Sequence, residues 1–174
     1  MPLLKRSIVK PKNPLPMQTA ALIPVSKSVV VSAPLARAFE IFTNGMHQWW
    51  PREHSLNAAV ERIAVVAEPL EGGRWFERAA DGSEREWGRV LVWSPPHRVV
   101  FAWQLDHEFK FNPAFMTEVE VRFEPAGENS TRVTLEHRNL ERYGVHANAT
   151  RAALDSDGGW MGGLRRYASH VEAG

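Results

Sequence analysis

Between positions 60 and 139 the chain falls into six consecutive strand-length segments, 60–67, 74–80, 84–93, 98–105, 115–124 and 131–139. The turn signals Glu71-Gly72-Gly73, Asp81-Gly82-Ser83, Ser94-Pro95-Pro96, Asn112-Pro113 and Ala126-Gly127 separate them. Connections this short cannot carry a crossover helix, so neighbouring segments pair antiparallel. Alternation along each strand puts Val99, Phe101 and Trp103, then Val119, Val121 and Phe123, then Val133, Leu135 and His137, on one face. The opposite positions Glu118, Glu120, Arg122, Arg132, Thr134, Glu136 and Arg138 read as a solvated face. Two stretches leave their parity open. Val90, Leu91, Val92 and Trp93 are consecutive apolar residues, which fits a bulge or a two-sided strand. Trp75 shares parity with Glu77, and Phe76 with Arg78, so whichever aromatic points inward brings one charge with it.

A sheet with one apolar face needs a covering layer, and both flanks supply helices. SKSVVVS reads as a further strand, followed by Ser32-Ala33-Pro34 as an N-cap with a proline in the first helical turn. Leu35, Ala38, Phe39 and Phe42 share one helical face, Asn44-Gly45 ends that helix, and a second short turn carries Trp49-Trp50 to Pro51. At the other end Asp155-Ser156-Asp157 offers capping oxygens, and Trp160, Leu164, Tyr167 and Val171 recur along one helical stripe. Gly158, Gly159, Gly162 and Gly163 fit either close packing on the sheet, which is the expectation, or mobile first turns. The fold class is α+β: a curved antiparallel sheet of about seven strands, two short helices after the first strand, and a long C-terminal helix.

A chain of 174 residues, 44% of them apolar, fits one domain over 25–174. With no cysteine it has no disulfides, thiolate ligands or cysteine nucleophile, which suits a reducing compartment. No apolar run approaches the roughly 18 to 20 residues of a membrane span, and the start lacks the apolar block of a secretory signal. The expectation is a soluble, cytoplasmic protein without a membrane partner. A net charge of +1 gives no global pull toward nucleic acid. Residues 1–24 form a basic, proline-containing extension, with Lys5, Arg6, Lys10 and Lys12 and no acid before Glu40. It reads either as an arm for an acidic partner or, preferably, as a tail on its own domain or a neighbour, and a homodimer is compatible with it.

Seven Trp and eight Phe gather mainly between Phe39 and Phe123. Trp75, Trp87, Trp93 and Trp103 fall in successive strands and point to an aromatic interior, either a packed core or a ligand cavity. Nucleophile-elbow, phosphate-loop, dinucleotide and zinc-pair signatures are absent from the sequence, and no histidines stand at HxH or HxxxH spacing. No catalytic residue, metal site or cofactor is assigned.

The segments FEIFTNGMHQWWP, EGGRWFERAADGSEREWGRVLVWSPPHRVVFAW, EVEVRFEPAGENSTRVTLEHR and GGWMGGLRRY, in the order β-α-α-β6-α, resemble the START-like (Bet v 1-like, SRPBCC) superfamily. Within it they look most like bacterial proteins similar to the C-terminal domain of the Hsp90 ATPase activator Aha1. The resemblance implies a helix-grip fold whose terminal helix and sheet enclose an apolar cavity. Carried onto this chain, the ligand-binding wall is Trp75, Val99, Phe101, Trp103, Val119, Val121, Leu135 and His137, closed from the helix by Trp160, Leu164 and Tyr167. Phe39, Phe42 and Trp49 shape the entrance. His137 is either the polar group that orients a ligand or a satisfied core histidine. The implied function is binding of a small hydrophobic or aromatic molecule. Two alternatives stand beside it: a cyclase-, aromatase- or hydrolase-type enzyme using the same cavity, and a protein-interaction module of chaperone-regulator type without ligand.

Overall fold

Strand β1 (Val25–Val31) is the first element of the computed structural model, which describes residues 20–174; residues 1–19 of the extension expected over 1–24 lie outside it. Its β-branched run pairs with the last strand, so the first and last strands lie side by side at one sheet edge. Then come α1 (Leu35–Thr43), α2 (Met46–Trp49) and a 3-10 turn at Arg52–His54. Strands β2 (Arg62–Ala67), β3 (Arg74–Ala79), β4 (Glu84–Ser94), β5 (Arg98–Trp103), β6 (Thr117–Gly127) and β7 (Ser130–Arg138) follow. All neighbours are antiparallel in the order β1-β7-β6-β5-β4-β3-β2. A kinked 3-10 segment, Leu140–His146, leads into α3 (Ala147–Asp155), and α4 (Trp160–Ala173) closes the chain. Among the described residues no helix is long and apolar enough to cross a membrane.

The two open parities are settled by bulges. The β4–β5 register shifts between Val90 and Val92, so Val90 and Trp93 both reach the concave side and Leu91 takes up the slack. A second shift, between Trp75 and Phe76, sets Trp75 and Trp87 facing each other inside, with ring centroids 5.7 Å apart. Glu77 therefore faces inward with Trp75. Phe76 lies outside under the guanidinium of Arg74, 3.9 Å from its ring centre.

The expected solvated face is not uniformly solvated. Glu120 is buried on it, bonded by Arg98 at 2.8 Å, Arg138 at 3.3 Å and Arg122. Burial disfavours its charge, but hydrogen bonds from Arg98 and Arg122 hold the carboxyl below the ordinary range.

Helix termini differ from the expected caps. Pro34, not Ser32, precedes α1, and the Ser32 N–H is held by Glu172 of α4 at 2.8 Å. Gly159 precedes α4, while Asp155 ends α3, a helix the sequence reading did not anticipate. Gly159 and Gly162 pack tightly, but on the α3–α4 turn and not on the sheet: a Cβ on Gly159 would stand 2.3 Å from the Leu154 carbonyl, and one on Gly162 2.6 Å from that of Asp157, whereas Gly158 is open. Gly163 is open too, since a Cβ there meets no atom within 4 Å.

Helix α4 is fastened across the concave side near its middle. The Tyr167 phenol donates to the Ala38 carbonyl at 2.8 Å, and Arg166 reaches Glu53 at 3.0 Å. Removing that buried phenol bond in Tyr167→Phe is expected to cost about 1 kcal/mol, a fall of about 2–4 °C in Tm by thermal circular dichroism.

Candidate functional site

Rings fill most of the hollow beneath α4. Phe39 and Phe42 meet Phe123 at centroid distances of 5.1 and 5.7 Å, Phe42 meets Tyr167 at 5.1 Å, and Trp75 meets Phe101 at 4.7 Å. The space left open lies at one end. It is a cavity of about 480 Å³ whose lining includes five tryptophans: Trp49, Trp50, Trp87, Trp103 and Trp160. Its rim is the segment from Pro51 to Leu56, its far wall is Leu154 and the α3–α4 turn, and Gly163 opens onto it from α4. Phe109, at the tip of the β5–β6 loop, stands at the mouth with φ +59°.

The rim is pinned by two charged side chains beneath it. Glu77 is buried, and its Oε1 accepts hydrogen bonds from the Leu56 N–H at 2.8 Å, the Ser55 hydroxyl at 2.9 Å and the Asn57 N–H at 3.2 Å. Arg62, half-buried, donates to the carbonyls of Trp50 at 2.8 Å and Pro51 at 3.0 Å. Both partners are main chain or rim side chain, so the loop that carries no regular structure is held in one shape.

Polar atoms behind the wall set the orientation of one tryptophan. The Trp160 indole N–H donates to Nδ1 of His137 at 3.0 Å, which leaves the proton on Nε2, where it meets the Thr117 hydroxyl at 2.8 Å. His137 is fully buried, and burial pushes its pKa down to about 3, so the ring is neutral near pH 7. Next to it the Tyr143 phenol donates to the Leu105 carbonyl at 2.9 Å, and burial pushes it up to about 12. The indole N–H groups of Trp50 and Trp87 are buried without a partner; that of Trp103 lies near the Tyr143 phenol, outside hydrogen-bond geometry. Three of the five cavity tryptophans thus carry an unspoken-for donor, each about 1–3 kcal/mol less favourable than a paired one.

The sequence model described as "Activator of Hsp90 ATPase homolog 1-like protein" matches residues 32–170, which takes in both short helices, the six strands after them and most of α4. The chain belongs to this family. Among solved structures, the Hsp90-activator-like chain is 40% identical to Txn09, an anthrahydroquino-γ-pyrone synthase solved in complex with SUM, over 86% of this chain and 97% of that one, with a TM-score of 0.60. It is 29% identical to the self-sacrificing resistance protein CalC from Micromonospora echinospora, over 86% and 94% of the two chains, with a TM-score of 0.65. Protein NE0264 from Nitrosomonas europaea shares the fold at 12% identity and a TM-score of 0.58, over 86% and 95% of the chains. No curated protein matches. The helix-grip architecture of this Hsp90-activator-like chain is that of its neighbours, and a shared fold does not by itself carry one activity.

Against this geometry, the residues named from the sequence divide. Trp103 and Trp160 of the expected wall, and Trp49 of the expected entrance, line the cavity. Trp75, Val99, Phe101, Val119, Val121, Leu135, Leu164, Tyr167, Phe39 and Phe42 lie in the packed interior, none more than 4% exposed. They do not line it, because the rings of Phe39, Phe42, Phe123, Trp75 and Phe101 occupy the middle of the hollow where those side chains converge. His137 does not reach the cavity either; both its nitrogens are taken by Thr117 and Trp160. Trp50, Trp87, Leu154, Gly163 and the rim were missed. Trp87 had a signal in its strand position, whereas the rim carries no apolar period and α3 only one large apolar residue, Leu154.

Proposed function

We propose that the chain binds a planar aromatic small molecule bearing oxygen acceptors, in the cavity walled by Trp50, Trp87, Trp103 and Trp160. The observation that carries this reading is the wall itself: flat indole rings around about 480 Å³. Indole faces favour stacked or edge contacts with aromatic rings. The volume lies in the range of small-molecule sites. Similarity to Txn09, named as a synthase of a fused aromatic pyrone, supports this ligand class and favours a second reading, an enzyme of cyclase type acting in the same cavity.

The test uses 1,8-dihydroxyanthraquinone as the probe, titrated against intrinsic tryptophan fluorescence and by calorimetry. Saturable one-to-one binding is expected. In Gly163→Leu the new side chain grows into the cavity, because no atom lies within 4 Å of its Cβ, and replacing a helical glycine favours the helix by up to about 1 kcal/mol. That variant should bind at least tenfold more weakly, about 1.4 kcal/mol, with Tm unchanged or raised. A wild type that leaves the probe free, or a Gly163→Leu variant that binds as well as wild type, refutes the site.

A further inference from the structure

We infer that His54 is a general base that takes a proton from the molecule bound in the cavity, an inference that rests on the ligand reading above. Four polar side chains line this largely aromatic space: Glu53, His54, Ser55 and Ser156. Three of them are already committed. Glu53 is bonded to Arg166 at 3.0 Å, and its backbone hydrogen bond together with Arg166 keeps its carboxyl below the ordinary range, making it a weak base. The Ser55 hydroxyl donates to Glu77 at 2.9 Å, and that of Ser156 to the Ala153 carbonyl at 2.6 Å.

His54 has no such engagement. Elsewhere His137 and His170 are hydrogen-bonded, and His107 stacks on His146 with centroids 3.6 Å apart, while His47 and His97, whose rings are also unpaired among the described residues, do not line the cavity. Among the described residues neither ring nitrogen of His54 has a hydrogen-bond or ion-pair partner. It is half-buried on the 3-10 turn Arg52–His54, so one side faces the cavity while solvent can resupply or remove a proton.

The turn is also held from both sides, which separates this histidine from an ordinary surface one. Arg62 grips the carbonyls of Trp50 and Pro51 before it, and Glu77 grips Ser55, Leu56 and Asn57 after it. A half-buried cation and a buried anion thus fix the main chain on either flank of His54, as placing a base against a substrate requires. The charged groups around the imidazole are Arg52 and Glu53 on its own turn and Arg166 from α4; the facing α3–α4 turn lines the cavity with Ala153, Leu154, Ser156, Gly158 and Gly159, none of them charged.

The reaction class is proton abstraction from a carbon acid beside a carbonyl, or from a phenol, on an aromatic ligand. The imidazole lone pair takes the proton, the C–H or O–H electrons delocalise into the carbonyl, and the imidazolium returns the proton to another atom of the same molecule. The net change is an isomerisation, in which one bond to hydrogen breaks and another forms within the same molecule, needing no oxidant or co-reactant.

The probe reaction is the elimination of 5-nitrobenzisoxazole, in which a base removes the ring C–H, those electrons form the nitrile, and the N–O bond breaks to release 2-cyano-4-nitrophenolate, read by its absorbance. Wild type is expected to show a saturable rate above buffer. His54→Gln should lower kcat at least 30-fold, with 1,8-dihydroxyanthraquinone affinity within twofold of wild type and Tm unchanged, and added imidazole should restore part of the rate in His54→Ala. Anthraquinone binding without elimination, or full elimination in His54→Gln, overturns the assignment of the base while leaving the ligand reading standing. Absence of anthraquinone binding overturns the ligand reading and the base with it.

Discussion

Gly88→Ala is expected to destabilise the protein by at least about 3 kcal/mol and to lower its Tm by about 6–12 °C. Gly88 lies on β4 between Trp75 of β3 and Trp103 of β5. A Cβ at this position would stand 1.7 Å from the Ala102 carbonyl oxygen and 2.9 Å from its carbon. Those atoms are main chain, so no side-chain rotation relieves the overlap; β4 and β5 must part. The bond from the Gln104 N–H to the Trp87 carbonyl, 2.9 Å long, is next to the point of separation. Because Trp87 and Trp103 flank that point and both line the cavity, the near-ultraviolet circular dichroism of the tryptophans should change together with stability. Gly82→Ala is the control, since that glycine has φ +83° but no atom within 4 Å of a built Cβ; it should cost only about 1 kcal/mol. Equal effects at the two positions would contradict the close approach of β4 to β5.

Acid should weaken the fold well above the pH at which carboxylates protonate. His137 titrates near 3 in the folded protein and near its ordinary 6.5 when unfolded, so between those values the unfolded chain binds the extra proton. The stability it contributes is therefore complete above pH 6.5 and is lost progressively as pH falls toward 3, at up to about 1.4 kcal/mol per unit. Carboxyls held low by their partners, among them Glu84, Glu120 and Asp155, add to the loss only at lower pH, below about 4.5. Urea denaturation at pH 7, 6 and 5 isolates the histidine: wild type should lose about 2 kcal/mol from pH 6.5 to 5. His137→Gln, unable to titrate, should give a flatter profile. A wild-type profile as flat as that of the variant would rule out a buried neutral ring. Protonation also has a local consequence, for it converts Nδ1 from acceptor to donor opposite the Trp160 N–H and removes the bond that orients a cavity wall.

The strands show how far alternation carries. Val99, Phe101, Trp103, Val119, Val121, Phe123, Val133, Leu135 and His137 all point to the concave side, as period two requires, because each lies on a regular antiparallel ladder. Where that period breaks, at Val90 to Trp93 and at Trp75 to Phe76, the sequence left two readings, and a bulge decided each. Facing inward proved different from lining a cavity. Trp75 and Phe101 face inward and are covered by other rings; Trp50, outside the sheet, forms the wall. Nothing local singles out His54, since the rest of the cavity around it is contributed by Trp87, Trp103 and Gly163 from distant parts of the chain.

By itself the amino-acid order determined the strand count, the antiparallel pairing, the buried face and the helix that covers it. These follow from local periodicity and turn chemistry, which act within a few residues. Which part of the buried face stays hollow was decided only in three dimensions. It depends on the summed volume of rings brought in from α1, β3, β5, β6 and α4, and on two charged side chains, Glu77 and Arg62, that clamp a loop remote from them in sequence. Volume and clamping are properties of the packed whole, and no window along the chain contains them.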